Sequence, residues 1–155
     1  MLIGLISDTH GLLRPDVHDA FAGVELILHA GDVCSDTILD ELRLIAPVFA
    51  VYGNCDDPWT PGLASHREME LGGLRVHVSH GHELGRPKPA QLVAAYDADV
   101  IVYGHTHIAV VERVGAKLVV NPGAAGPKRF ALPATVARLS IADGRAEAEL
   151  VTLVK

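Results

Sequence analysis

The sequence predicts an α/β fold in which two mixed β-sheets pack face to face and helices cover the outer faces of both sheets. Two patterns indicate this fold. In residues 1–52, three short apolar runs alternate with two helix-like segments, as is typical of a parallel sheet with crossover helices. After residue 62, short glycine-containing turns join several of the apolar runs, as is typical of hairpins. The length favours a single domain over residues 1–155, because domains commonly have roughly 100 to 150 residues.

Composition excludes several classes of protein. Hydrophobic residues make up 49% of the chain, which suits strands that are buried on both faces. No apolar run approaches the roughly 20 residues needed to span a bilayer, and the first residues lack the charged and apolar regions of a signal peptide. We therefore expect a cytoplasmic protein without membrane contacts. The net charge of -6 disfavours a large nucleic-acid-binding surface.

The first half of the chain contains the alternating strands and helices. Apolar runs that end at small or polar residues predict buried strands. Helix signals lie between them, with Pro15 in a first turn, Ser35 as an N-cap and Pro47 as a terminator. The predicted elements are a strand over 2–6, a helix over 15–21, a strand over 26–30, a helix from 35 to 47, and a strand over 48–52.

The second half contains mainly hairpins. Gly72-Gly73 and Asp143-Gly144 are two-residue turn signals, and each lies between two runs of strand-forming residues. A loop that contains several glycines and prolines extends from Asn121 to Pro133. The predicted elements are strands over 65–71 and 74–79, a helix over 87–96, and strands over 99–103, 109–114, 117–120, 135–141 and 145–154.

Polar side chains follow the predicted strands at the points where these strands end. Asp8 and His10 follow the first strand with one residue between them, so a carboxylate and an imidazole can point the same way. In open α/β sheets, ligands bind at the carboxyl ends of strands, where the loops converge. The side chains that we therefore expect to meet there are Asp8, His10, Asp32, Asn54, His80, His82, His105 and His107.

This set of side chains indicates a metal site. Aspartate, asparagine and histidine suit Mn²⁺, Fe²⁺, Zn²⁺, Ni²⁺ or Co²⁺ better than Ca²⁺ or a structural zinc site with cysteine ligands. With His82 set aside, seven candidate ligands exceed what one tetrahedral ion uses. Two ions that share a bridging carboxylate would use all seven, and such a pair activates water and binds a phosphoryl group.

The motifs also resemble those of a known family. The ordered set Asp-Thr-His, Gly-Asp, Gly-Asn-Cys-Asp, His-Gly-His and Gly-His-Thr-His extends from Asp8 to His107. In this order the motifs resemble the calcineurin-like metallophosphoesterase superfamily, and the small chain is similar to its compact YfcE-like phosphodiesterase branch. The resemblance implies an αββα sandwich and a dinuclear-metal phosphoesterase. It favours a phosphodiesterase that hydrolyses a small phosphate ester through a hydroxide bridging both ions.

The resemblance implies roles for individual residues. Asp32 would bridge two divalent ions, with Mn²⁺ preferred and Ni²⁺, Fe²⁺, Zn²⁺ or Co²⁺ as alternatives. Asp32, Asn54 and His82 are the predicted catalytic residues, and Cys55, His82 and Arg86 are predicted to contact substrate. His82 could instead order its loop, and Arg86 could instead be solvated. The implied ligands are Asp8, His10, Asp32 and His107 for the first ion, and Asp32, Asn54, His80 and His105 for the second.

Cys55 departs from the pattern of many larger relatives, which carry histidine at this position. Because a thiol is a poor proton donor to an alkoxide, we expect a preference for acidic leaving groups, such as those of aryl phosphodiesters. Cys34 and Cys55 are either unreactive reduced thiols or, if they lie near a cationic centre, oxidation-sensitive ones. His29 lies inside an apolar run and is expected to be a hydrogen-bonded core residue.

Two alternative functions are open. A retromer subunit resembles the same fold and serves mainly as a binding surface, but here every ligand position is filled, which favours catalysis. A nuclease is disfavoured by the acidic net charge. We therefore expect a small phosphate ester, and not a nucleic acid, as the partner in the reaction. The sequence leaves open the physiological substrate, the native metal and whether the chain forms a homo-oligomer.

Overall fold

The computed structural model describes residues 1–129 and 131–154. Within these ranges the chain forms short strands and helices in an order close to the one predicted. The elements are β1 (Leu2–Ile6), α1 (Asp16–Ala20), β2 (Leu26–His29), α2 (Asp36–Arg43), β3 (Val48–Val51), β4 (Leu63–Ala64), β5 (His66–Leu71), β6 (Leu74–Ser79), a 3₁₀ helix (His82–Leu84), α3 (Pro89–Ala95), β7 (Val100–Val102), β8 (Val110–Val114), β9 (Lys117–Asn121), β10 (Thr135–Ala142) and β11 (Arg145–Thr152).

The strands form two mixed sheets. The first sheet has the order β11-β10-β1-β2-β3-β4, and the second has the order β5-β6-β7-β9-β8. In the first sheet β1 to β4 are parallel, whereas β10 is antiparallel to β1 and β11 is antiparallel to β10. In the second sheet β6, β7 and β9 are parallel, and β5 and β8 are antiparallel at its edges. The predicted fold class is confirmed, whereas the single domain over residues 1–155 stays a prediction.

Three apolar clusters define four layers. The first cluster lies between the two sheets and includes Leu5 and Val102. The second packs α1 and α2 against the outer face of the first sheet, with Phe21 and Leu42 among its buried side chains. The third packs α3 against the second sheet through Leu92. The layers therefore run helix, sheet, sheet, helix.

The helices present in the described residues are all too short or too polar to cross a membrane.

Continuous apolar runs form the central strands because both faces of the first sheet are covered. Side chains alternate along β1, so that Leu5 packs between the sheets and Ile6 packs toward the helices. Gly4 is required by close packing, since a Cβ at this position would lie 3.0 Å from the ring of Phe21. Packing on both faces thus fixes the register of the parallel strands relative to one another. This register determines where the polar residues at their ends lie.

The structure differs from the predicted elements in three places. β4 was not expected, because two residues are too few to show a strand pattern. Ser35 occupies the N-cap of α2, but its hydroxyl contacts Thr37 Oγ1 at 2.7 Å and makes no capping hydrogen bond. The same helix ends at Arg43, and tight turns continue the chain to Pro47. The short 3₁₀ helix after β6 also lay outside the prediction.

Candidate metal centre

The loops after β1, β6 and β7 bring together a carboxylate and several imidazoles. Asp8 Oδ1 lies 3.6 Å from His10 Nε2, 3.2 Å from His107 Nε2 and 3.9 Å from His80 Nε2. The Asp8 side chain is fully buried, with no exposed surface. One carboxylate oxygen therefore faces three ring nitrogens that come from both sheets.

Asp32, at the end of β2, lies between two of the same histidines. Its Oδ2 is 3.5 Å from His10 Nε2 and 3.3 Å from His80 Nε2. Asp8, Asp32 and His80 each offer a ligand atom within 4.8 Å of the others, and so do Asp8, His10 and His107. The two groups share Asp8, and His10 of the second group lies next to Asp32 of the first. They therefore form one continuous cluster.

Asn54, after β3 of the first sheet, and His105, after β7 of the second, complete the cluster. Asn54 Oδ1 lies 3.0 Å from His80 Nε2. The ring of His105 lies 5.2 Å from the ring of His80, and its backbone N–H donates to Asp8 Oδ2 at 3.1 Å. All seven side chains that the sequence predicts as ligands therefore lie in one place.

The residues of this cluster fit a divalent cation. Asp8 Oδ1 and His10 Nε2 are buried and have no hydrogen-bond partner among the residues that the structure describes. A buried charged oxygen without a partner is costly, and a cation bound between these atoms would remove that cost. Imidazole nitrogens and carboxylate oxygens are ligands that Mn²⁺, Fe²⁺, Ni²⁺ and Zn²⁺ share. The donor set thus agrees with the predicted kind of ion.

The backbone is strained at the predicted ligands. Seven residues other than glycine have positive φ within the described ranges, and five of them are predicted ligands. These five are Asp8, His10, Asp32, His105 and His107. Residues other than glycine rarely adopt positive φ, and this backbone conformation costs of order 1–3 kcal/mol at each position. Strain of this kind persists where the surrounding contacts hold a residue in place for its function.

Charges in the cluster shift the ionisation of its members. Burial alone would raise the pKa of Asp8, but the neighbouring imidazoles of His10 and His107 outweigh it and hold that pKa well below its usual range. Burial alone would lower the pKa of His80, but Asp32 and Asp8 raise it above the ordinary value. The cluster therefore strongly favours a negative charge on Asp8, as a metal ligand requires.

Asp56 is a supporting residue that the prediction missed. Its carboxylate accepts hydrogen bonds from the backbone N–H groups of Gly53 at 2.9 Å, Val33 at 3.1 Å and Cys34 at 2.9 Å. It thereby ties the loop after β2 to the loop after β3. The Gly-Asn-Cys-Asp motif contained this residue, but nothing in the motif distinguished a loop-binding carboxylate from a ligand.

Two further buried residues, His29 and Asn121, form hydrogen bonds with the loops that carry the cluster. His29 has no exposed surface, and its Nε2 lies 3.0 Å from Thr9 Oγ1. Its Nδ1 accepts from the backbone N–H of Gly31 at 3.1 Å, so it is the hydrogen-bonded core histidine that was expected. The amide of Asn121 donates to Gly104 O and to Thr106 Oγ1, both at 3.1 Å, and so fixes the loop that carries His105.

The three predicted substrate contacts line three different cavities around the cluster. Cys55 lines a cavity of about 280 Å³ together with Cys34 and Asp56. His82 lines a second cavity, of about 310 Å³. Arg86 lines a third, of about 270 Å³, together with His105, His107 and Arg129. The structure therefore does not unite these three residues in one pocket, and only the third cavity is lined by proposed ligands, His105 and His107.

Both cysteines are free and exposed. Burial of the sulfur and the nearby Asp56 and Asp32 raise the pKa of the Cys34 thiol to about 11. Burial and the Asp32 carboxylate also raise the pKa of Cys55. These carboxylates favour uncharged thiols, which react slowly with oxidants. The suggested oxidation sensitivity stays a prediction, because it depends on a cation next to the thiols.

Two facing mixed sheets whose strand ends gather carboxylates and histidines define a class of α/β proteins with a candidate metal centre at the shared edge of the sheets. The model of the calcineurin-like phosphoesterase superfamily domain matches residues 1–144. The chain belongs to this superfamily. The family that the motifs resembled is therefore confirmed.

Curated relatives match over nearly the whole chain. A probable metallophosphoesterase of Methanothermobacter thermautotrophicus is 37% identical, and the alignment covers 97% of this chain and 92% of that protein. Phosphodiesterase YfcE of Escherichia coli strain K12 is 31% identical, with 90% of this chain and 87% of that protein covered. The expected similarity to the YfcE-like branch is thus confirmed as well.

A solved structure extends the comparison to a protein that bears a different name. Wild-type Vps29 of Entamoeba histolytica, solved in complex with Zn²⁺, superposes with a TM-score of 0.80 at 26% identity. The superposition covers 98% of this chain and 99% of Vps29. The fold is therefore shared by proteins named as phosphodiesterases and by Vps29.

Proposed function

We propose that this chain is a dinuclear metal-dependent phosphodiesterase that acts on a small phosphate ester. The observation that carries the proposal is the convergence of Asp8, Asp32, His10 and His80 around buried oxygen and nitrogen atoms, two of which lack any other described partner. The names of the curated relatives support the same reaction.

The two groups of ligand atoms support two ions rather than one. Asp8, His10, Asp32 and His107 would hold the first, and Asp32, Asn54, His80 and His105 would hold the second. The structure adds one point to the sequence-based assignment, since Asp8 has contacts with members of both groups. Asp32 lies between His10 and His80 and remains the proposed bridge. When bound, such ions lower the pKa of a water molecule and neutralise charge on phosphoryl oxygens.

The chain's own residues would position the substrate around this centre. Arg86 and Arg129 line the cavity beside His105 and His107, where their charges can attract an anionic phosphoryl group. Cys55 donates its backbone N–H to Asp32 Oδ1 at 2.9 Å and thereby orients the proposed bridging carboxylate. Its thiol carries no positive charge, so it supplies little help to a basic leaving group.

The test combines metal analysis with a series of substrates. The purified chain is stripped of metal, reloaded separately with Mn²⁺, Ni²⁺, Fe²⁺, Zn²⁺ or Co²⁺, and assayed with bis(p-nitrophenyl) phosphate and p-nitrophenyl phosphate. We expect close to two ions per chain, highest activity with Mn²⁺, and faster hydrolysis of the diester. In a series of aryl phosphodiesters, the rate should rise as the pKa of the leaving phenol falls. A metal-loaded chain that hydrolyses neither ester would contradict the proposal.

A binding scaffold is the second candidate, because the fold superposes on that of Vps29. It predicts metal binding without turnover. The substrate series separates the two functions, since a scaffold would bind the ions and leave every ester intact. The cytoplasmic location and the oligomeric state stay predictions.

A further inference from the structure

A cavity of about 310 Å³ lies on the outer face of the β5–β6 hairpin. Val76 and Val78 point into the core between the sheets, so His77 between them points to the opposite face. We call this space the His82 cavity. Its lining residues are Tyr52, Ser65, His66, Glu68, His77, Ser79, His82, Glu83 and Tyr96.

The His82 cavity adjoins the metal cluster. The ring of His82 lies 5.3 Å from the ring of His80 and 6.2 Å from the ring of His105. Tyr52, on the same wall, precedes the proposed ligand Asn54 by two residues. A ligand group in this cavity and a phosphoryl group held at the cluster could therefore belong to one substrate molecule.

Nearly parallel aromatic rings form one wall of the cavity. The rings of His77 and Tyr96 are 3.8 Å apart and inclined by 19°, and those of His66 and His77 are 5.8 Å apart and inclined by 16°. The Tyr96 hydroxyl donates to Glu83 Oε2 at 2.7 Å, which holds its ring in place. A stack of fixed rings favours a flat aromatic ligand over an aliphatic one.

The charged residues that line the His82 cavity disfavour an anionic ligand. Glu68 and Glu83 contribute carboxylates, and none of the described lining residues is lysine or arginine. The cavity beside His107 has the opposite character, with Arg86 and Arg129 and no carboxylate among its described residues. The two sides of the cluster therefore suit different parts of one substrate, an uncharged hydrogen-bond donor on one side and an anionic group on the other.

Two buried nitrogens in the lining residues lack partners. His77 Nε2 and His82 Nδ1 make no hydrogen bond within residues 1–129 and 131–154. His77 Nδ1 lies 3.4 Å from Glu68 Oε1 and can donate to it, which leaves Nε2 as an acceptor. Burial lowers the pKa of His77 and so favours this neutral form. The Glu68 carboxylate lines the cavity and keeps further lone pairs beside the one that faces His77, so it can accept from a ligand that carries N–H donors.

We propose that the His82 cavity binds a flat heterocycle with an exocyclic amino group, such as an adenine ring, that belongs to the phosphoester substrate. This inference rests on the proposed function and specifies its substrate class. The ring stacks against the aromatic wall, and its amino group donates to Glu68. The phosphoryl group then lies toward the metal cluster and the arginines.

The test uses adenosine and purine riboside, which differ only in the exocyclic amino group. Binding to the full chain is measured by NMR titration of the metal-free chain and of the chain loaded with Zn²⁺. Zn²⁺ is used because it is diamagnetic. Because its amino group gains a hydrogen bond to the Glu68 carboxylate, adenosine should bind about ten-fold more tightly than purine riboside. It should also inhibit hydrolysis of bis(p-nitrophenyl) phosphate competitively.

Variants locate the binding. Glu68→Gln should weaken adenosine binding about ten-fold and leave purine riboside binding unchanged, because only the amino group meets Glu68. Glu70→Gln, two residues along the same strand and outside the lining, is the matched control and should change neither. His66→Ala should weaken both ligands, since it removes a ring.

Several outcomes would overturn the inference. Equal affinity for the two nucleosides, or equal adenosine binding by Glu68→Gln and wild type, would exclude this recognition. The proposed function fails separately. If bis(p-nitrophenyl) phosphate is hydrolysed but adenosine neither binds nor inhibits, the phosphodiesterase stands and the subsite is wrong. If adenosine binds as expected but no ester is hydrolysed, the cavity stands and the proposed reaction is wrong.

Discussion

The two ends of the sandwich use the same backbone conformation for different purposes. At the end opposite the cluster, hairpin turns have positive φ mainly at glycines, namely Gly72, Gly73, Gly115 and Gly144. At the cluster end, positive φ falls on side-chain-bearing ligands such as Asp8 and His105 as well as on glycines such as Gly31 and Gly81. A turn needs only the conformation, so glycine supplies it without strain. A metal site needs the side chain too, so the chain retains the strained residue.

Glycine also has different tasks at the two ends. Gly53 and Gly104 lie next to the cluster, where an added Cβ would overlap Asp32 Oδ1 or Ser7 Oγ. Neither has positive φ, so these positions need glycine for space alone. Gly73 has open space around its Cβ position and needs glycine for its φ of 84°. At these three positions the cluster end is thus limited by packing, and the hairpin end by backbone conformation.

The largest expected effect comes from removing a charged ligand at the cluster end. Asp32→Ala should lower kcat/KM for bis(p-nitrophenyl) phosphate on the order of 10³-fold or more, because it removes the proposed bridge between the ions. Asn54→Ala should have a smaller effect and mainly weaken one ion. Metal content per chain is measured in parallel. Asp40→Ala, at an exposed residue of α2, is the control, and wild-type activity of Asp32→Ala would refute the site.

The next effect compares two glycines. Gly53→Ala should destabilise the chain by about 3 kcal/mol, because the new methyl group displaces Asp32 from a packed site. Gly73→Ala should cost about 1 kcal/mol, from backbone strain alone. Urea unfolding of the metal-free proteins measures both. The comparison of the two ends breaks down if Gly73→Ala proves the more damaging change.

Acid should destabilise the cluster end through His29. Burial lowers the pKa of His29 to about 4 from its ordinary 6.5. Above pH 6.5 the ring is neutral in both states, and below it the unfolded chain gains the proton first. Stability should therefore fall between pH 6.5 and pH 4, by about 2 to 3 kcal/mol in total. Urea unfolding of the metal-free chain against His29→Gln isolates this contribution, and parallel pH profiles would contradict it.

The smallest effect tests the strain itself. Cys34 has a φ of 67° at the cluster end, and Asp143 has a φ of 54° at the hairpin end. Cys34→Gly should be more stable than Cys34→Ala by about 1 kcal/mol, because glycine adopts this conformation freely. The same pair of substitutions at Asp143 should give a similar difference. A clearly larger difference at Cys34 would mean that the loops at the cluster end hold more strain than the turns.

Much of the fold could be predicted from sequence because the signals were local. Apolar runs and the turns at Gly72-Gly73 and Asp143-Gly144 fixed most elements to within a few residues. The convergence of Asp8 with His107 followed from one topological rule, that parallel strands end at one edge. β4 was missed because its two residues pair with β3 only in the folded chain.

The details around the cluster depend on contacts between distant residues. Nothing near Asp56 in the sequence indicates that it binds three backbone N–H groups in two loops. The prediction that Cys55, His82 and Arg86 all contact substrate gave no indication that they lie in separate cavities. Which side of a loop a side chain faces is set by backbone conformations such as the positive φ of Asp32, and no residue pattern reports these.

The pairing of β1 with β10 has a consequence for synthesis. Leu2 pairs with Ser140, and the amino group of Met1 donates to the carbonyl of Ile141 at 2.8 Å. On the ribosome, the strand that leads into Asp8 must wait for Thr135–Ala142 to emerge before its second neighbour exists. Strand pairing over such a distance is slow and leaves an unpaired edge in the interim. The nascent chain therefore carries an unpaired strand edge, which favours misassembly, until β10 has been made.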